Sequence, residues 1–577
     1  MEYFQDRHVQ PRLSAGCSLQ ARDRKTAHTS RWRPGLWALI GRIMSMSRSP
    51  ALPLLLCLTA LGCSEPEPSS PTPDAGPTPD AGPLPDAGPT PDAGPAPDAG
   101  PDEDPALQVR IQRMRRYHSP GGVEMRPEDF EKTPISLFVA DGTSLNEVPG
   151  RIGGPGEFIF SNVPDGTYYV KVGTDYVVTR ARDVDLSINL MGRPDVRLQD
   201  RSFAYVDIAL THLEPWQYSP FPTPPEAPGS SLEIMSEEVP LSATLAVSDG
   251  LAEGQTSWNN SGRSFDNADT VPVFERERGD RIWVHQYAPR QAEALPDGTP
   301  LGYSAIVRSA QLAPLDFDGT HLMPIQGSLQ AVPSTHSLSV DWKVSDFKAL
   351  AEQTHPGAQA RPLVLSIVTT IPGEADVRVP TNGPILAAML RPPSMAEDVQ
   401  TTLVYGNPYP SSRDVLVRAY VSLRIPRAPG ANQFFTTGSI AWVDRVANLS
   451  GRPIRPLVQP PRALMVDGAD GYLPRTLTSG PQVISWQAPA DGAPDGYVVS
   501  FGAPSRVGGE RIYLAGDATS VVIPPDLLPP GTSFLHIDAI RSEGYARSGQ
   551  PMTAYDHVPR GSATTVSGAL TLPNSIH

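Results

Sequence analysis

The segment DFDGTH at residues 316–321 has the clearest spacing of potential metal ligands in the sequence. Asp316 and Asp318 lie two residues apart beside Gly319, and closely spaced carboxylates on a glycine turn bind Ca²⁺ through their oxygens. The further acids of a twelve-residue Ca²⁺-binding loop are missing. The segment therefore predicts either a Ca²⁺ site at Asp316 and Asp318 or an ordinary Asp-Gly hairpin turn, and the missing ligands favour the turn.

The motifs of common enzyme classes are missing from the chain, which contains no Gly-x-Ser-x-Gly, no His-Glu-x-x-His and no Gly-x-x-x-x-Gly-Lys. The histidines of the central part lack the spacing of metal ligands, and each is expected at a strand edge or in a loop: His285, His321, His336 and His355. No cofactor is predicted. These patterns favour a non-enzymatic protein. The alternative is a hydrolase or lyase whose site is assembled from unlinked Asp, Glu and His residues of 199–455.

Two aromatic pairs near loops could stack on sugar rings, Trp216 with Tyr218 and Tyr405 with Tyr409. Aromatic side chains also supply much of the area that a core buries. The edge of a core is the simpler interpretation of both pairs.

Cys63 follows an uncharged apolar run, residues 51–61, which is too short to span a bilayer because a spanning helix needs about 20 apolar residues. Arg48 places a positive charge before the run, and Gly62 places a small residue before the thiol. These are the parts of a signal peptide. The sequence ALGC at 60–63 resembles the lipobox of bacterial lipoproteins.

This resemblance implies that a diacylglycerol is attached to the Cys63 thiol and that residues 44–62 are removed as a signal peptide. Residues 1–43 are then an upstream extension from a misassigned start. Two or three acyl chains anchor a protein stably, because each buried methylene contributes about 0.8 kcal/mol. Ser64 implies sorting to the outer membrane, with its periplasmic or outer face left open. An ordinary secretory signal with a chance cysteine is the alternative.

Residues 63–105 contain a six-residue repeat in which PDAGP begins at Pro73, Pro79, Pro85, Pro91 and Pro97. The segment has almost no bulky apolar residue, so it is predicted to be a disordered, extended tether. Such a tether holds the folded part away from the lipid surface. A Pro-rich ligand for an aromatic groove is the alternative.

The mature chain is strongly acidic. Removing residues 1–62 leaves 38 basic and 59 acidic residues, a net charge of −21. This charge argues against nucleic acid as a partner, because nucleic-acid affinity rests on neutralising phosphates. Cys17 and Cys57 lie upstream of the cut, so no disulfide is predicted. Proline, 66 of 577 residues, breaks helices and favours β domains with turn-rich loops.

Residues 106–198 are predicted to form the first β-sandwich. The sequence EFIFSNVPDGTYYVKV at 157–172 reads as strand, turn, strand, with the turn at 164–166. It resembles the signature of carboxypeptidase-regulatory-like (transthyretin-like) domains. In that family the signature residues belong to the core and the turn, and the domains are usually spacers or adhesion modules.

Residues 456–577 are similar to a fibronectin type III domain. Trp486 is the expected buried tryptophan, Tyr497 begins a YVV strand, and LPPGTSFLHIDAI follows at 528–540. Phe534 occupies the position of the family's corner tyrosine, so the corner hydroxyl bond is missing. His536 is expected to be exposed or at the rim.

Residues 199–455 resemble no family and are predicted to form one or two β domains. Period-two patterns predict nine strands, at 203–213, 231–235, 281–287, 303–307, 337–344, 363–370, 402–405, 415–425 and 439–443. The strand at 415–425 places Val417, Ala419, Val421, Leu423 and Ile425 on one face. One short helix is predicted over 346–352, with Ser345 as its N-cap.

The sequence thus predicts an all-β, multidomain chain of β-sandwiches in series after a signal peptide and a disordered Pro-rich tether. The expected protein is lipid-anchored in the cell envelope and presents β domains for binding or adhesion to a protein or polysaccharide. Its predicted partners are the membrane, through the lipid anchor, and an envelope protein or polysaccharide.

Overall fold

A computed structural model describes residues 104–218, 229–245, 247, 251–266, 270–370, 384–392, 394, 397–428, 430–502, 510–528, 531–545, 552–555 and 557–572. Cys63, the predicted signal peptide and the repeats of the predicted tether lie outside the described residues. Within them the structure has 37 strands, one α-helix and four short 3₁₀ helices. The all-β fold class is confirmed. None of these helices is long and apolar enough to cross a membrane.

The first region is a sandwich whose strands alternate between small sheets. They are β1 (Val109–Gln112), β2 (Met114–Ser119), β3 (Gly122–Pro127), β4 (Ile135–Asp141), β5 (Ser144–Val148), β6 (Gly150–Gly154), β7 (Glu157–Phe160), β8 (Tyr168–Val172), β9 (Asp175–Thr179), β10 (Asp183–Asp185) and β11 (Ile188–Met191). A 3₁₀ helix at Pro105–Leu107 precedes them. The sheets have the orders β10-β1-β7-β6 and β11-β2-β3, while β5-β4-β8-β9 continues a larger sheet.

The turn at 164–166 joins two sheets and does not close a hairpin. β7 pairs with β1 and β6, whereas β8 pairs with β4 and β9. Gly166 has φ +131°, a conformation that glycine adopts without strain. The segment predicted as strand, turn and strand therefore carries the chain across the core of the sandwich, where Phe160 and Tyr168 are both buried.

The central region begins with a second sandwich. Its strands are β12 (Leu198–Gln199), β13 (Phe203–Thr211), β14 (Ser231–Ser236), β15 (Leu241–Thr244), β16 (Trp258–Asp266), β17 (Val271–Pro272), β18 (Trp283–Ala292), β19 (Leu301–Gln311), β20 (Met323–Ser328) and β21 (Gln330–Ala331). A 3₁₀ helix occupies Arg276–Arg278. The sheet β16-β13-β20 faces β15-β14-β18 across a shared apolar core that includes Val206, Ile208 and Ile234.

The rest of the central region adds a two-stranded sheet and a larger sheet. Its elements are β22 (His336–Trp342), α1 (Val344–Ala351), β23 (Gln359–Thr369), β24 (Ile385–Arg391), β25 (Val399–Tyr405), β26 (Val415–Pro426) and β27 (Phe434–Arg445), followed by a 3₁₀ helix at Val446–Asn448. The two-stranded sheet is β22-β25, and the other strands form the sheet β24-β23-β26-β27. The predicted apolar face of β26 is confirmed, since Val417, Ala419, Val421, Leu423 and Ile425 are all fully buried.

All nine strands predicted in the central region are present, but the predicted helix cap is wrong. The helix begins at Val344 with Lys343 as its N-cap, so Ser345 lies in the first turn. Ser345 donates from its hydroxyl to Oδ1 of Asp398 at 2.8 Å, and its N–H donates to the same oxygen at 3.2 Å. A carboxylate from the loop before β25 therefore satisfies the helix start that Ser345 was expected to cap.

The last region contains β28 (Arg462–Val466), β29 (Ala469–Asp470), β30 (Arg475–Thr476), β31 (Gln482–Gln487), β32 (Gly496–Gly502), β33 (Arg511–Ala515), β34 (Ser520–Ile523), β35 (Gly531–Ser542), β36 (Arg560–Val566) and β37 (Leu570–Leu572), with a 3₁₀ helix at Pro525–Leu527. Its β-sandwich character is as predicted, with a small sheet β29-β28-β31-β34 beside a larger one. Trp486 is buried and meets Tyr497 edge to face, with ring centroids 5.2 Å apart.

Strand pairing links the last region to both of the other regions. β27 of the central region pairs antiparallel with β36 of the last region, and β33 of the last region pairs in parallel with β9 of the first. Phe534, at the expected corner position, is buried against Phe435 of β27 with centroids 4.7 Å apart. The regions are thus joined edge to edge, which removes the free strand edges that separate sandwiches would expose.

Candidate functional site

The two aspartates of the predicted Ca²⁺ site have separate partners. Asp318 Oδ1 accepts the N–H groups of Thr320 and His321 at 2.8 and 3.0 Å, and Oδ2 lies 2.6 Å from Nδ1 of His321. These hydrogen bonds hold the pKa of Asp318 below its usual range. Asp316 instead accepts from the backbone and side chain of Arg276. No group of three His, Cys, Asp or Glu residues in the described ranges could hold a metal ion. The Ca²⁺ site stays a prediction.

The aromatic pairs are mostly core residues. Trp216, Tyr405 and Tyr409 are buried, and only Tyr218 is exposed. Core packing therefore accounts for these residues, as the simpler interpretation had it.

The prediction that the central histidines lie at strand edges or in loops is wrong for His285. His285 is 1% exposed and lies in β18, which has a paired strand on each side. His355 is also buried, edge to face against Tyr472. His321 is exposed, and His336 stacks on Tyr405 at the end of β22.

His285 is the centre of a polar row formed by Glu233, His285 and Ser309, in which His285 and Ser309 are buried and Glu233 is half-buried. These residues are direct neighbours across β14, β18 and β19, so their side chains share one face of the sheet. Nδ1 of His285 lies 3.0 Å from Oγ of Ser309, and Nε2 lies 2.5 Å from the hydroxyl of Tyr409. The imidazole is satisfied when Tyr409 donates to Nε2 and Nδ1–H donates to Ser309.

Glu233, the acid of the polar row, has Tyr287 and not His285 as its hydrogen-bond partner. The Glu233 carboxyl is hydrogen-bonded to the hydroxyl of Tyr287, and burial raises its pKa to about 7. Burial likewise raises the pKa of Tyr287 well above its usual value. Glu233 therefore holds its proton over much of the acidic range, and it is not the group that orients His285.

Two loop residues, Arg413 and Glu237, lie beside the polar row next to Tyr409. Arg413 and Glu237 form a buried ion pair, and the Arg413 guanidinium lies over the ring of Tyr409 at 4.2 Å from its centroid. Burial, with a smaller contribution from Arg413, lowers the pKa of His285 to about 3. The imidazole is thus neutral at physiological pH.

Serine, histidine and glutamate are the residue types of a Ser-His-acid catalytic triad, but their arrangement here differs from that of a triad. In such a triad one ring nitrogen of the histidine contacts the serine hydroxyl, and the acid is hydrogen-bonded to the other ring nitrogen. Here the second nitrogen contacts Tyr409, while Ser309 and His285 are 5% and 1% exposed. A neutral histidine of low basicity in a closed core is suited to hold strands together and poorly suited to take up a proton in catalysis.

The outward face of the sheet β16-β13-β20 has the opposite character, because it exposes large apolar side chains. Phe203 and Tyr205 of β13 are 38% and 43% exposed, and their rings meet edge to face at 5.5 Å. Leu322, one residue before β20, is 46% exposed. The register that sets Val206 beside Met323 puts Leu322 level with Tyr205. We call this outer surface the aromatic face.

Polar side chains continue the aromatic face along the same strands. Asp207 and Gln326 are hydrogen-bonded to each other at 3.3 Å, and Asn259 is exposed on β16 opposite Ala209. On the inner side of β13, Val206 and its alternate neighbours are buried. The alternation of β13 alone could have revealed the surface: Phe203 and Tyr205 have the parity opposite to the aliphatic residues Val206, Ile208 and Leu210.

Comparisons with known proteins add little. No protein-family model matches the chain, and no curated protein sequence matches it. Among solved structures, the crystal structure of the chicken CNTN1 FN1-FN3 domains aligns with 65% of this chain and 97% of its own, at 11% identity and a TM-score of 0.13. A similarity at that TM-score supports no conclusion about function.

Proposed function

We propose that this chain is a lipid-anchored cell-envelope protein that presents β domains for binding, with the acyl chains on Cys63 in the outer membrane. The uncharged run of residues 51–61 and the ALGC sequence support the anchor, and the proline repeats of 63–105 support a stalk. The folded part would then extend from the membrane surface and meet envelope proteins or polysaccharides.

The observation that carries the binding role is the contrast between the two candidate sites. In the polar row, His285 and Ser309 are buried and hydrogen-bonded, whereas Phe203 and Tyr205 are exposed on the outside of a sheet. Exposed aromatic patches with a polar rim mark interaction surfaces. A binding surface on a stalked β protein accounts for both features.

The anchor is tested by replacing Cys63 with Ala in the native host and fractionating the cells. We expect the wild type to sediment with the membranes and to carry acyl chains by mass spectrometry, and Cys63→Ala to move to the soluble fraction. Cys57→Ala is the matched control, because it removes a thiol upstream of the cut and should leave fractionation unchanged. Unaltered membrane partitioning of Cys63→Ala would refute the anchor.

The second candidate function is hydrolysis at Ser309. Oγ of Ser309 lies 3.0 Å from Nδ1 of His285, and Glu233 of β14 is the neighbour of His285 on its other side. A fluorophosphonate probe, which labels activated serines, discriminates between the two functions. The binding role predicts no labelling of the folded chain. Labelling that disappears in Ser309→Ala would favour the hydrolase.

A further inference from the structure

The aromatic face has two parts that together suit one class of ligand. At one end Phe203, Tyr205 and Leu322 are exposed, and Arg201 lies over the Phe203 ring at 5.3 Å from its centroid. At the other end the outward positions are small polar groups, among them Asp207 and Gln326. The surface thus combines ring faces with amide, hydroxyl and carboxylate groups on three adjacent strands.

We propose that the aromatic face binds a neutral polysaccharide, an inference that rests on the proposed binding function and names its ligand class. Pyranose rings have an apolar C–H side that packs on aromatic rings and a periphery of hydroxyl groups that needs hydrogen-bond partners. Phe203 and Tyr205 supply the first contact. Asp207, Gln326 and Asn259 supply acceptors and donors along the strand direction, so an extended chain of sugars can contact both parts.

Charge favours a neutral polymer over an acidic one. The mature chain has a net charge of −21, which repels polyanions. On the aromatic face the carboxylate of Asp207 offsets the charge of the nearby Arg201, which donates to the carbonyl oxygen of Gly319. These two side chains therefore give the face no excess of cations, which an acidic polysaccharide would require.

The size of the apolar part favours a sugar chain over a folded protein. Stable protein interfaces involve about 20–30 residues a side and bury about 800 Å² per partner. Here three large apolar side chains form a small cluster, with Phe203 and Tyr205 successive on the outward face of β13 and Leu322 beside Tyr205. A cluster of this size is too small for a stable protein interface and matches the width of a sugar chain.

The test is affinity electrophoresis of the full chain, purified from membranes in detergent, through gels containing hydroxyethyl cellulose, laminarin or xylan. Dextran sulfate serves as the anionic comparison. The variants are Phe203→Ala/Tyr205→Ala and, as the matched control, Tyr218→Ala, which removes an exposed aromatic side chain that belongs to none of the three strands of this face. Thermal melting checks that each variant is folded.

We expect at least one of the three neutral polymers to slow the wild type and Tyr218→Ala alike. The double variant should bind that polymer at least tenfold more weakly with an unchanged melting temperature. Retardation by dextran sulfate alone, equal retardation of the double variant, or no retardation of the wild type would overturn the proposal. So would an envelope protein that the wild type captures in place of a sugar and the double variant loses. Because fractionation of Cys63→Ala does not depend on this result, failure of the anchor and failure of the sugar site are distinguishable.

Discussion

The hydroxyl of Tyr409, from the loop after β25, lies 2.5 Å from Nε2 of His285, the third residue of β18. The two residues are 124 positions apart in the chain. With this contact both ring nitrogens of the buried imidazole have a hydrogen-bond partner, because Nδ1 already lies 3.0 Å from Oγ of Ser309.

Replacing Tyr409 with Phe should lower the free energy of unfolding by about 1–3 kcal/mol, because a buried ring nitrogen loses its partner. Urea denaturation followed by tryptophan fluorescence measures the change. Tyr218→Phe is the matched control, since it removes the hydrogen bond to the Leu251 carbonyl at the surface. A loss no larger than that of the control would contradict the role given to Tyr409.

Glu233 should make the protein less stable as pH rises. Its pKa in the folded state is about 7, above the unfolded value, so the folded state retains a proton that the unfolded state releases. The stability from this proton is present below about pH 4.5 and is lost as pH rises through about 7, a change on the order of 3 kcal/mol.

Glu233→Gln should flatten this part of the pH dependence. The measurement is urea denaturation from pH 4.5 to 8, read as the difference between variant and wild type. The difference cancels the opposite slope from His285, whose lowered pKa makes stability fall with acidification. A constant difference across the range would show that Glu233 titrates normally.

The buried pair of Arg413 and Glu237 should be costly to break from one side. Glu237→Gln leaves a buried guanidinium without its counter-charge, and we expect a loss of about 3–5 kcal/mol. Asp316→Asn breaks the exposed pair with Arg276 and should cost no more than about 1 kcal/mol. Equal losses in the two variants, measured by thermal and urea unfolding, would argue against a desolvated pair at Arg413.

Calcium should leave the protein's stability unchanged, because Asp316 and Asp318 are already engaged with Arg276 and with the N–H groups of their own turn. The measurement is the Tm in 1 mM CaCl₂ and in EDTA. A ligand that binds only the folded state raises the Tm. A Ca²⁺-dependent rise that Asp316→Asn or Asp318→Asn abolishes would establish the metal site that the spacing predicts.

The positions of the strands in the sequence were largely predictable, whereas the pairing of one strand with another in the sheets was not. Alternation identified β13 and β26 because each has one face in a core and period-two burial is visible in the sequence. Alternation does not reveal β24, because all seven of its residues are buried and a continuous apolar run has no period. It does not reveal β16 either, because the residues of β16 are mostly small and polar and resemble those of a loop.

The sequence by itself determined the class of the fold and the positions of most strands, since these depend on neighbouring residues, whereas lipidation at Cys63 stays a prediction. Only the tertiary structure decided that Glu233, His285 and Ser309 lie side by side and that β9 pairs with β33, because both follow from the register between strands distant in the chain. The same holds for exposure. Tyr205 and Tyr405 are tyrosines in similar strands, and one is displayed while the other is buried because different layers pack against them.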